Sequence, residues 1–376
     1  MKVTFPHLGP AHLALVTLFT DLGLEPVAPP PTTRRTIALG VRHAPEFACF
    51  PLKVNLGNYL EALAAGAEAI FMVGGVGPCR LGYYAQVQQT ILRRLGLDLP
   101  MIVFEPPQRR WAEFWRAIRR VLPPKRLVGL PGALFFAYRK LAAIDELAVL
   151  VNRLRPRTLR PLALQRLWEE GQKALGACTE MRSLKRVLSS FKADLVAIPR
   201  LEEGYPLRME LAGEIYMVLE PAVNFELERR LGEKGVEVIR HLYLSRWLGE
   251  QFRRCLGLDA SHHRDRELAW PYLAHPVGGH GLQSVARAVE AGVNRLDGMV
   301  HLAPFTCMPE IVAGGVLPVV REDLGLPILH LNLDEHTAEA GVLTRLEAFL
   351  DLAARRYNCR LVAMEGHRVE RVFSRG

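Results

Sequence analysis

The chain has no run of about 18 uncharged apolar residues, the length a membrane-spanning helix needs. Its nearest approach, Ala11–Phe19, is interrupted by His12 and followed at once by Asp21, so no membrane partner is expected. Cysteine is scarce and scattered: six in 376 residues, at Cys49, Cys79, Cys178, Cys255, Cys307 and Cys359. That excludes the dense disulfide framework of a small secreted domain. The opening segment, MKVTFPHLGP, meets Pro6 and Pro10 early and has no small-residue cleavage pattern. No signal peptide is expected, and the compartment reads as cytoplasm. There is no low-complexity tract and no repeat at a solenoid period. The fingerprints G-x-G-x-x-G, G-x-x-x-x-G-K-[ST], H-E-x-x-H and G-x-S-x-G are all missing, which removes the commonest nucleotide, zinc-protease and hydrolase readings.

What is present is ordinary globular material. Hydrophobic residues make up 49% and charged residues 23%, too apolar for a chain that stays disordered. A length of 376 residues allows two or three domains of about 100–200 residues each. The net charge of +9 invites a nucleic-acid reading. Its local basic stretches, Arg153–Arg160 and Arg116–Arg120, lack interleaved aromatics and match no nucleic-acid motif. A solvated face is expected there, with a docking site for an acidic or phosphorylated partner as the alternative.

Along the first 130 residues, strand-like and helix-like segments alternate. VTFPHLG reads as a strand, His12–Gly23 as a helix, TIALG as a second strand and Asn58–Gly66 as a helix. Ala69–Val73 stops at Gly74-Gly75 as a buried parallel strand would, Tyr84–Leu95 reads as a helix, and Met101–Phe104 as the next strand. From Trp111 to about Lys192 the periodicity is helical, with loops at Pro123-Pro124 and Arg155–Pro161. The alternation then returns: strands at Leu195–Ile198, Glu214–Leu219, Val236–Val238, Gly298–Ala303 and Pro327–Leu331, and helices at Phe225–Leu231, Gly281–Ala291 and Thr344–Arg356, the last followed by a short tail. The expected architecture is α/β: two lobes with parallel sheets, residues 1–110 and 194–376, joined by a mainly helical segment over 111–193.

Ligands of open α/β sheets bind outside the carboxyl ends of the strands. Three cysteines fall in loops there: Cys49 in EFACFPLK, Cys79 in GGVGPCR and Cys307 in PFTCMPE. Three thiolates meeting between lobes would suit an iron–sulfur cluster, with one iron left open to water or a substrate oxygen. The plainer alternative is three small buried hydrophobes, and no C-x-x-C pair decides between them. The glycines of Gly74–Arg80 fit a phosphate cradle or simply a tight turn. Asp334, Glu335, His336, Glu339 and Arg345 gather after PILHL, as a site or as helix-capping and ion-pair residues. His262, His263, His275 and His280 have no zinc spacing, and Cys178, Cys255 and Cys359 read as structural.

Six segments taken together resemble the 2-hydroxyacyl-CoA dehydratase and benzoyl-CoA reductase family, in the component that carries the catalytic cluster. They are CFPLKVNLGNYLEAL, GGVGPCRLGYY, GEIYMVLEPAVNFELERRL, HPVGGHGLQSV, DGMVHLAPFTCMPE and LDEHTAEAGVLTRLEAFLD, in the family's order across most of the chain. The likeness is nearest to stand-alone members labelled as CoA-enzyme-activase proteins. It implies two flavodoxin-like lobes and a [4Fe–4S] or double-cubane cluster, with Cys49, Cys79 and Cys307 as ligands. It also implies an ATP-hydrolysing activator with its own cluster that supplies low-potential electrons. A sister subunit or a second copy, and an acyl-CoA substrate undergoing 2-hydroxyacyl-CoA dehydration or a related reduction, are implied as well. Lys53, Asn58, Arg80, Glu310 and Arg345 are the candidates for roles beside cluster or substrate. The alternative is a non-catalytic electron-relay or scaffold subunit that docks the activator or a sister subunit.

Overall fold

The structure is a computed structural model that describes residues 1–75, 78–104, 119, 124–201, 206–255 and 261–373. Within them, eight strands form two four-stranded, wholly parallel sheets. The first holds β1 (Lys2–Thr4), β2 (Glu25–Pro26), β3 (Ala69–Val73) and β4 (Met101–Phe104), in the order β2-β1-β3-β4. The second holds β5 (Leu207–Gly213), β6 (Val236–Ile239), β7 (Gly298–Pro304) and β8 (Ile328–Leu333), in the order β6-β5-β7-β8. Each chain half steps to one side of its first strand, then crosses to the other. The switch points therefore lie between β1 and β3 and between β5 and β7, where a crevice opens.

The first lobe carries α1 (His12–Asp21), α2 (Arg34–His43), α3 (Phe50–Ala64) and α4 (Leu81–Arg94). The linking segment holds α5 (Pro124–Leu127), α6 (Leu130–Leu154), α7 (Pro161–Ala177) and α8 (Met181–Ala197). The second lobe adds α9 (Ile215–Leu219), α10 (Leu227–Glu233), α11 (Leu244–Cys255), α12 (Ser261–Ala269), α13 (Gly281–Val293), α14 (Met308–Leu324) and α15 (Glu339–Phe373). Helices α6 to α8 close around Ile144, Leu147, Leu164 and Leu195, and α6 also packs on α1 and α11. Among the described residues no helix is long and apolar enough to cross a membrane.

Helix α3 joins the two lobes. Phe50 and Val54 enter the core over the second sheet, while Leu52, Leu56 and Tyr59 enter the core over the first. A helix apolar on every side is a buried helix, and each of these side chains contributes about 1.5–3 kcal/mol by leaving water.

Three segments that read as strands are helical. Thr36–Gly40 lies inside α2, because Thr33 caps it reciprocally: Thr36 N–H donates to the Thr33 hydroxyl at 3.3 Å and Thr33 N–H to the Thr36 hydroxyl at 3.0 Å. The second strand is instead the two-residue Glu25–Pro26. Glu214–Leu219 leaves the sheet because β5 ends at Gly213 and the Glu214 carboxylate accepts the Met217 N–H at 3.0 Å, starting α9. Leu195–Ile198 is the end of α8. A short apolar run serves a buried helix as well as a buried strand, and local caps decided these cases. The last helix also continues to Phe373 rather than giving way to a tail. Arg155, expected on a solvated face, is buried and bonded to Gln165 at 2.9 Å. Of Arg116–Arg120 only Arg119 is described, and it is exposed; residues 111–118 and 120–123 of the expected helical segment lie outside the described residues.

Candidate functional site

The loops after β3 and β7 face each other across a cleft of about 690 Å³, and Cys49, Cys79 and Cys307 all line it. Cys49 is the N-cap of α3, Cys307 is the N-cap of α14, and Cys79 lies two residues before α4. Three helix N-termini thus deliver positive partial charge to one place. One carbonyl ties the three loops together. Phe47 O, two residues before Cys49, accepts from Arg80 at 2.9 Å and from the Thr306 hydroxyl at 3.3 Å. Arg80 follows Cys79, and Thr306 precedes Cys307. Thr306 itself sits at φ 65°, a left-handed turn that swings the chain from β7 into α14.

Burial dominates the chemistry of the thiols. It pushes Cys49 up to about 11, against the opposing effect of the Tyr84 hydroxyl 2.5 Å from its sulfur. Cys79 and Cys307 are raised as well, by burial first and then by the nearby carboxylates, chiefly Glu214. Backbone N–H groups of Leu52, Leu81 and Glu310 favour the respective thiolates, although at Cys49 and Cys307 the geometry falls short of a full cap hydrogen bond. Glu214, also on the cleft, is pushed up to about 7 by burial, with the Glu310 charge adding to the effect.

Of the five polar candidates, Arg80 lines the cleft. Lys53 forms a buried ion pair with Glu335 that bridges the lobes. Asn58 is buried, donating to the Thr32 hydroxyl at 3.3 Å and accepting from Tyr216 at 3.4 Å. Arg345 is exposed and donates to His330 O at 2.6 Å. Glu310 is fully buried: one carboxylate oxygen meets His301 Nε2 and the Ser284 hydroxyl, each at 2.8 Å, while the other has no hydrogen-bond partner among the described residues. His301 Nδ1 continues to His330 Nδ1 at 2.7 Å, and burial, followed by the His301 and Arg345 charges, holds His330 down at about 4.

Sequence reasoning missed Glu214, Ser284, His301 and His330. The signal available was a histidine in GMVHLAP, a strand buried at every position, which demands a polar partner there. Among the other cysteines, Cys178 is buried in the core of the helical segment. Of the histidines of interest in the sequence, His280 lines the cleft, whereas His263 and His275 are exposed and the His262 side chain lies outside the described residues; His241 lines the cleft as well.

Among the described residues no group of three or more His, Cys, Asp and Glu side chains is drawn tightly enough to hold a single metal ion. Three thiols on one cleft are the soft donor type that iron–sulfur clusters take. No protein-family model matches the chain, and no curated protein matches it either.

Proposed function

We propose that this chain is an iron–sulfur protein of the 2-hydroxyacyl-CoA dehydratase and benzoyl-CoA reductase type. Cys49, Cys79 and Cys307 would hold a [4Fe–4S] or double-cubane cluster in the cleft between the lobes. The observation that carries the reading is the tie of all three cysteine loops to one carbonyl, Phe47 O, at a pair of switch points. Sulfur donors at helix N-termini suit such a group, and backbone N–H groups directed at the sulfurs tune its potential. When bound, it supplies one-electron reduction at low potential.

The chain's own residues do the rest. Arg80, Arg246 and Arg253 place cations on the cleft wall, suited to the phosphates of a CoA thioester. Glu214, with its raised proton affinity, holds a proton at the cleft near neutrality, available to a leaving hydroxyl or a reduced carbon. The electrons come from an ATP-hydrolysing activator with its own cluster, in keeping with a chain that carries no nucleotide fingerprint. The reaction is dehydration of a 2-hydroxyacyl-CoA or a related reduction, carried out in the cytoplasm by this chain with a sister subunit or a second copy.

The test is iron and sulfide analysis with electron paramagnetic resonance on anaerobically purified protein. About four irons per chain are expected, and Cys79→Ser or Cys307→Ser should remove most of them; unchanged iron in both variants refutes the site. A second reading, an electron-relay subunit, is favoured by the exposed Phe47, Tyr83, Phe305 and Met308 close to the cysteines, an apolar rim suited to a docked protein. It predicts a reducible cluster and no turnover of any acyl-CoA under reducing conditions.

A further inference from the structure

The two lobes share one strand order, and in each a helix leads directly into the third strand. In the first lobe, the helix leading into the third strand is α3, and its N-cap is Cys49. In the second, the helix leading into the third strand is α13, and its N-cap is His280. The loop after the third strand then supplies Cys79 in one lobe and Cys307 in the other. The cleft is lined by all four residues, in two matched pairs: Cys49 with Cys79, and His280 with Cys307.

Glycine makes the approach of this histidine close. In HPVGGHG, a Cβ at Gly278 would lie 3.0 Å from Cys79 N, and one at Gly279 would lie 3.8 Å from Cys79 Sγ. A Cβ at Gly281 would lie 2.4 Å from Pro309 O, two residues beyond Cys307. Gly278 and Gly279 also take φ of +86° and +48°, which glycine adopts at no steric cost. The segment on either side of His280 is therefore pressed against both cysteine loops.

We propose that His280 is the fourth protein ligand of the cluster, completing a Cys3His set. The assignment rests on the reading of the three cysteines as cluster ligands and adds what occupies the remaining iron. An imidazole nitrogen is an established iron donor, and exchanging a thiolate for it leaves the cluster less negative and easier to reduce. His280 closes the iron that three cysteines leave open, so water and oxygen meet no vacant position at rest.

The experiment uses the anaerobically purified full chain, with histidine alone labelled by ¹⁵N, and pulsed electron paramagnetic resonance of the reduced cluster. The wild type should show one strongly coupled histidine nitrogen. His280→Ala should lose that coupling while keeping most of its iron, and should lose its cluster in air several-fold faster. His280→Cys should keep the cluster, lose the coupling and shift the midpoint potential to more negative values. A cluster whose wild-type spectrum shows no histidine coupling, or whose coupling survives in His280→Ala, overturns this assignment alone. Wild-type protein that takes up no iron and sulfide overturns it together with the cysteine site.

Discussion

The seam between α2 and α3 gives a quantitative test of what positions Cys49. A Cβ added at Gly40 would stand 1.8 Å from the Lys53 carbonyl oxygen, and one at Gly57 would stand 2.0 Å from the Thr36 carbonyl oxygen. These are backbone atoms, so no rotamer change relieves the clash, and ordinary contact near 3.5 Å requires the helices to part by well over an ångström. Two effects compete in Gly40→Ala. Helix propensity favours alanine by about 1 kcal/mol, while overpacking a tight contact costs about 1–3 kcal/mol or more. With backbone against backbone the upper end applies, so the net loss should be about 2 kcal/mol. Gly132, in the first turns of α6 with nothing within 4 Å of its Cβ position, is the control. There only propensity acts, and Gly132→Ala should stabilise by about 0.5–1 kcal/mol. Urea unfolding of both variants reads the two signs, and iron uptake reads the site, because α3 carries Cys49 at its start. Equal midpoints for Gly40→Ala and Gly132→Ala would refute the close packing of α2 on α3.

Two further outcomes follow from buried charge. Lys53→Met should cost about 3 kcal/mol, because it leaves the 11%-exposed Glu335 carboxylate unpaired; Lys53→Met combined with Glu335→Gln should recover most of that in a denaturation cycle, and a double variant as unstable as the single one contradicts the pairing. Glu214 holds its proton more tightly folded than unfolded, so without iron its contribution should weaken as pH rises from about 4.5 to about 7. Part of Glu214 remains open to the cleft, so the stability difference between wild type and Glu214→Gln should move by only about 2 kcal/mol across that window. A flat difference in pH-dependent unfolding would show that Glu214 ionises normally.

The parallel lobes were legible wherever a strand was buried on both faces, as in AIFMV and GMVHLAP, because such runs have few other uses. Legibility failed where a cap outweighed composition, at Thr33 before α2 and at Glu214 before α9. The site was half legible. Cys79 and Cys307 could be placed in strand-end loops from their flanking glycines and prolines. Cys49 was expected in such a loop too but lies between the helices α2 and α3, because the segment before it is helical, and all three line the cleft. The chain alone could not show that Glu310 turns inward to His301, that Lys53 reaches Glu335 across 282 residues, or that His280 lines the same cleft as the cysteines. Those are facts about which loops meet, and meeting is decided by the sheet order.

The raised thiols bear on whether any of these cysteines acts as a nucleophile. A nucleophilic cysteine needs its thiolate near neutral pH, and helix N-termini usually supply it by lowering the pKa. Here the same helix termini are present and burial still wins, leaving Cys49 at about 11. At pH 7 that thiol is ionised about once in ten thousand molecules, too rarely for a working nucleophile, and its proton would have to be given up at a cost of about 5 kcal/mol. Glu214 and Glu310 add negative charge to the same region, which opposes free thiolates further. A positive load large enough to offset burial at three sulfurs would reverse the balance, and in the proposed cluster iron would supply it as the protons leave. A cleft that penalises bare thiolates in this way is consistent with the proposed cluster, whose iron would offset the penalty.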